Sequence, residues 1–133
     1  MKIMKESMLI VSKEELPIIK SLIEKYPAAD ILEKKSRQKL YRELQLAELK
    51  STGEMPAEVV RLNSIVSVQT SFGRKDGLKI VLPQESNLQK KKLSVMSSMG
   101  TALYGYAEGS KVLWNLPNGE ELIVIERVIN DTD

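Results

Sequence analysis

Any chemistry in this chain has few carriers to draw on. It contains no Cys and no His, which removes disulfides, thiolate nucleophiles, imidazole bases and most zinc or haem sites together. Catalysis, where present, would have to run on carboxylates, lysine or hydroxyls. Asp30-Ile-Leu-Glu33 is the carboxylate pair whose spacing stands out. Read from the residues, Asp30 is the N-cap of a helix and Glu33 its N3 partner, a capping-box geometry that also places acid at the positive end of the helix dipole. The stretch that follows is basic, with Lys34, Lys35, Arg37, Lys39 and Arg42, and reads as a solvated helix face. Those cations compete for the two carboxylates and work against metal binding.

The elements that position this pair follow from periodicity. Residues 8–11 are a short apolar segment, a strand or a staple onto the first helix. Ser12-Lys-Glu-Glu15 has capping-box spacing. Leu16, Ile19, Leu22 and Ile23 then recur at helical spacing, Pro17 falls early enough to be tolerated, and the Tyr26-Pro27 step ends the helix. A second helix is expected over about 30–50, with Leu40, Leu44 and Ala47 on one side and Thr52-Gly53 closing it. Two amphipathic helices on a tight link make an antiparallel hairpin in which each supplies the other's apolar partner.

Past residue 53 the period changes to two. Leu62, Val66 and Val68 form one face of a strand, and Leu78, Ile80 and Leu82 line another. Residues 72–77, ending in Asp-Gly, read as a turn-rich connection, and residues 83–92 as an exposed polar loop kept soluble by Lys90, Lys91 and Lys92. Gly100 and Gly105 bracket one helical turn over 101–104. Residues 111–116 alternate, with Trp114 in the core; Asn118-Gly119 turns the chain, and residues 122–129 return as the partner strand. This order gives an α+β fold: a short N-terminal helical hairpin over 1–52, then an antiparallel sheet unit with one short helix over 53–133.

Composition sets the outer bounds. A chain of 133 residues is long enough for a real core. Its 20 Lys plus Arg against 18 Asp plus Glu give no support to a general nucleic-acid or membrane-surface binder, and no sequence-specific nucleic-acid contact is expected. The opening Met1-Lys-Ile-Met-Lys-Glu lacks a signal-peptide core and no run approaches a membrane span, so the cytoplasm is the expected location.

Two stretches narrow the class further. The run Leu93-Ser-Val-Met-Ser-Ser-Met-Gly-Thr-Ala-Leu-Tyr-Gly-Tyr-Ala-Glu-Gly-Ser-Lys-Val112 resembles the signature of the C-terminal domain of bacterial Gre transcript-cleavage factors. The run Gly53-Glu-Met-Pro-Ala-Glu-Val-Val-Arg-Leu-Asn-Ser-Ile-Val66 is similar to the short-hairpin branch of that family, the regulators of nucleoside diphosphate kinase (Rnk). Ser98, Thr101 and Ser110 stand where Gre proteins commonly have proline, arginine and aspartate.

The resemblance implies an FKBP-like sheet unit that docks on the coiled coil at the rim of the secondary channel of RNA polymerase. It places that contact on Met96, Ser97, Ser98, Met99, Gly100 and Thr101. It also implies that full-length Gre hairpins carry an Asp-x-x-Glu pair at the tip to help hold a second magnesium ion, which activates water against backtracked RNA. Asp30 and Glu33 match that pattern, giving a transcript-cleavage factor as the alternative reading. Helices of about 20 Å and 30 Å, at about 1.5 Å per residue, fall short of a deep channel. The expected protein is therefore a polymerase-binding regulator that competes with Gre factors, with no catalytic residues, metal or cofactor.

Overall fold

The computed structural model describes residues 8–130; the opening stretch read against a signal peptide lies outside them. The chain runs β1 (Ile10–Ser12), α1 (Leu16–Lys25), α2 (Ile31–Gln45), β2 (Glu48–Lys50), β3 (Ile65–Thr70), β4 (Gly73–Val81), β5 (Lys92–Ser94), α3 (Ser98–Leu103), β6 (Lys111–Leu116) and β7 (Gly119–Ile129). A five-stranded sheet has the order β5-β4-β3-β7-β6, antiparallel except for the parallel β4–β5 pair. This is the expected α+β architecture of helical hairpin and sheet unit.

The helices are shorter than their periodicity implied. α2 stops at Gln45, because Glu48–Lys50 pairs in parallel with Ile10–Ser12 to make a separate two-stranded sheet. Glu48 N donates to Leu9 O at 2.8 Å and Lys13 N to Lys50 O at 2.8 Å, so backbone pairing to a distant segment outweighs the helical propensity of residues 46–50. Thr52–Glu54 is a 3-10 turn and not a helix end. At about 1.5 Å per residue, the 10 residues of α1 reach about 15 Å and the 15 of α2 about 22 Å.

The helices also do more than cover each other. Ile19 of α1 and Leu40 and Leu44 of α2 join Leu9, Val11, Val66, Val68, Ile80, Leu103 and Ile125 in one continuous apolar core, and α2 lies on α3. Burial of this kind contributes about 1.5–3 kcal/mol per large apolar side chain, so the hairpin is held by the sheet unit. Polar ties reinforce the join. Ser12 Oγ accepts from the amides of Glu14 and Glu15, both at 3.2 Å. The expected reciprocal bond of the capping box does not form, because Glu15 turns inward to accept from Leu62 N at 3.1 Å and Tyr104 Oη at 2.7 Å. Burial, then the Glu15 charge, holds the Tyr104 phenol well above its ordinary pKa. Burial followed by the charge of Glu43, 2.9 Å away, raises that of Tyr106.

Two turn signals resolve differently from expectation. The chain reverses at Ser71-Phe72, where Thr70 Oγ1 accepts from Phe72 N and donates to Gly73 O, both at 3.0 Å. Residues 73–77 therefore belong to β4. Asp76-Gly77 is a bulge in which two residues oppose Ser67, and Gly77 takes a φ of +69°. The β6–β7 hairpin turns at Pro117-Asn118, one residue before the expected Asn118-Gly119, with Gly119 already in β7 and paired to Leu116. The polar stretch after β4 is mostly exposed but contributes β5 at its end.

Candidate functional site

The carboxylates at the start of α2 are engaged in local bonds. Asp30 is the extended N-cap residue, and its Oδ1 accepts from Glu33 N at 2.9 Å. Glu33 Oε1 reaches back to Ala29 N at 2.9 Å, one residue before the cap, and also accepts from Arg37 Nη2 at 3.1 Å. The spacing i, i+4 puts Glu33 and Arg37 on one helix face. Among the described residues no group of three or more Asp or Glu could hold a metal ion.

Arg37 corrects the reading of the basic stretch. Lys34, Lys35 and Arg42 are exposed, as a solvated face requires, but Arg37 is only 5% exposed. Its guanidinium donates to the carbonyls of Tyr26 and Pro27, the latter at 3.3 Å, and through Nε to Met96 O at 3.4 Å. It also lies 5.7 Å from the Tyr26 ring centroid. A planar fork with five donors suits this work, since three carbonyls and a carboxylate approach it from different segments.

Met96 leads into the second region. Ser97 N and Oγ both donate to Ser94 O, at 3.0 and 2.7 Å, and Ser97 Oγ accepts from Gly100 N at 3.0 Å as the N-cap of α3. Thr101 Oγ1 donates back to Ser97 O at 3.1 Å. Gly100 lies inside the helix rather than at its entry. Its role is close approach: a Cβ there would stand 2.2 Å from Ser94 O and 2.9 Å from Val95 Cα. Met96, Gly100 and Thr101 are buried and Met99 is 7% exposed, so of the six expected contact residues Ser97 and Ser98 reach the surface and Met99 shows only an edge.

Beside those serines opens a groove of about 680 Å³. Leu78, Leu88, Leu93, Met99 and Trp114 give it apolar walls, and Arg74, Lys75, Asp76 and Lys91 rim it. Phe72, 70% exposed, stands edge-on to Trp114 with ring centroids 6.4 Å apart. Leu88 is 77% exposed. Trp114 is therefore half in the core and half in the groove, and its enclosed Nε1 finds no acceptor among the described residues. On the rim Arg74 bonds Asp76 at 2.8 Å and Glu126 at 2.7 Å. The Arg74 bond depresses the Asp76 pKa, and Asp76 raises that of Arg74. Apolar walls with a few convergent polar groups are the usual form of a binding site. Reading residues 72–77 as a turn and residues 83–92 as solvent-filled loop hid this groove. The available signal was Phe72 and Leu88, lone large apolar side chains in polar stretches.

Comparison with known proteins agrees with the resemblance seen in the sequence. The family model described as transcription elongation factor, GreA/GreB, C-term matches residues 55–130. Curated proteins named regulator of nucleoside diphosphate kinase, from Escherichia coli (strain K12) and Shigella flexneri, are 37% identical over 81 residues. The match covers 60% of this chain and 60% of each relative, less than two thirds of their length. A solved structure described as prokaryotic transcription elongation factor GreA/GreB from Nitrosomonas europaea superposes with a TM-score of 0.71 at 26% identity, covering 92% of this chain and 98% of that one.

Proposed function

The chain belongs to the GreA/GreB C-terminal domain family, and from that premise we propose that it is a non-catalytic transcription regulator that binds RNA polymerase. Docking runs through the groove beside Ser97 and Ser98, onto the coiled coil at the rim of the secondary channel, and excludes Gre factors from that place. Residues 53–133 act as the gripping unit and residues 1–52 as a short stalk, and the protein works in the cytoplasm with the polymerase. The observation that carries this reading is the pairing of an open apolar groove with a helix start whose acids serve as cap and clasp. Asp30 Oδ1 caps a helix amide and Glu33 Oε1 bonds Ala29 N and the Arg37 cation, so the pair closes the helix start and a cation already sits on Glu33, which supports the cap over a magnesium site.

Retention of the full chain on immobilised core polymerase tests the reading. Binding at moderate salt that a Gre factor displaces is the expected result; no retention, or retention undiminished by excess Gre factor, refutes it. Addition to backtracked elongation complexes is expected to leave the RNA at full length. Magnesium-dependent shortening lost in Asp30→Asn would establish the cleavage-factor reading in its place.

A further inference from the structure

The groove does not end at Ser97. It shares Leu88, Leu93 and Ser97 with a second cleft of about 480 Å³, and that cleft runs to the α1–α2 link, where Tyr26, Pro27, Ala29 and Arg37 form its far wall. One buried guanidinium sets the spacing across it. Arg37 holds the link by the carbonyls of Tyr26 and Pro27 and holds the loop by the carbonyl of Met96, the residue before Ser97. Link and loop are thus fastened to the same rigid fork.

Charge adds a second constraint. Across both clefts the lining has four cations, Arg37, Arg74, Lys75 and Lys91, against two carboxylates, Glu33 and Asp76. Arg37 is bonded to Glu33, and Arg74 to Asp76 and to Glu126 at the rim; with Glu126 counted, one net positive charge remains, carried by Lys75 and Lys91. An apolar floor with that surplus at one end is complementary to an apolar segment flanked by acid.

We propose that the α1–α2 link is the second wall of the docking site: the polymerase segment seated beside Ser97 continues to Ala29 and is gripped from both sides, with acidic residues against Lys75 and Lys91. This rests on the docking reading above and deepens it. The short helical pair is then a clamp on the docked segment and not a truncated probe. Its modest reach ceases to be a deficiency, because a wall needs only to stand next to the groove.

The test is equilibrium binding of the full chain to core polymerase. Ala29→Trp fills the second cleft from an exposed link residue and is expected to weaken binding at least ten-fold with an unchanged melting temperature. Ser86→Trp fills the same cleft from the opposite side and is expected to do the same, which covers the case in which one variant folds poorly. Lys13→Trp adds equal bulk outside both clefts and is expected to bind as the parent does. Lys91→Glu is expected to weaken binding and to flatten its salt dependence. Wild-type binding with either folded tryptophan variant equally tight overturns the two-walled site and leaves the docking reading standing. Failure of the wild type to bind overturns both.

Discussion

The start of α2 and the groove beside Ser97 are opposite solutions to the placing of functional-looking side chains. At the start of α2, two carboxylates and an arginine bond one another and the backbone: the Asp30 carboxylate accepts one amide, the Glu33 carboxylate accepts another, and Arg37 joins the α1–α2 link, its own helix and the loop at Met96. In the groove, Leu88 and Phe72 stand in water and the Trp114 N–H has no acceptor among the described residues. A satisfied polar cluster stabilises a fold, whereas exposed apolar surface beside an orphaned donor costs stability and persists where something else is recognised. Residue type alone would rank the two sites the other way round.

On that contrast the first cluster answers to stability and the second to binding. Arg37→Met has the largest expected effect, a loss of about 3 kcal/mol in urea unfolding, since it takes the cation from Glu33 and the guanidinium donor from three carbonyls. A loss below about 1 kcal/mol would break the contrast, because Arg37 would then be no more than a surface cation. Gly100→Ala is expected to cost about 2 kcal/mol, as the added methyl meets Ser94 O and Val95 Cα and the docking loop has to shift. Asp30→Ala removes a side-chain cap and is expected to cost about 1 kcal/mol.

A smaller effect is expected at alkaline pH. Tyr104 and Tyr106 both have phenol pKa values raised in the folded protein. Above the ordinary value of about 10, the unfolded chain releases protons that the native state retains. The stabilisation is complete below about pH 10 and is lost as pH rises towards the native values. The urea midpoint is expected to fall between pH 9 and 11, and less steeply in Tyr106→Phe; identical slopes would remove Tyr106 from the account. Smallest of all on stability is Leu88→Glu, expected to stay within about 0.5 kcal/mol while abolishing retention on polymerase. A variant that melts early yet still binds would reverse the assignment of the two regions.

Legibility in the sequence followed the range of the interaction. The cap at Asp30, the existence of the β6–β7 hairpin and the left-handed Gly105, at φ +85°, all depend on backbone preferences of a few adjacent residues. Each was readable. Ser12 and Glu15 show the limit: the spacing of a capping box is present, but Glu15 gains a buried tyrosine hydroxyl from 89 residues away and abandons the local bond. Asp76-Gly77 shows it again, since the same dipeptide serves a turn or a bulge and only the opposing strand distinguishes them. Residues 48–50 carry helical pattern, and pairing with β1 overrides it.

Residue order by itself determined the family, the α+β plan and the glycine framework, because these rest on short motifs and on the switch from helical to strand periodicity. Folding in three dimensions decided the rest. Whether Arg37 is a solvated cation or a buried clasp depends on Met96, 59 residues away in the chain, and the groove exists only where Leu78, Leu88, Leu93 and Trp114 converge from separate strands and loops. Burial is a property of what surrounds a side chain, and for these residues the surroundings come from elsewhere in the molecule.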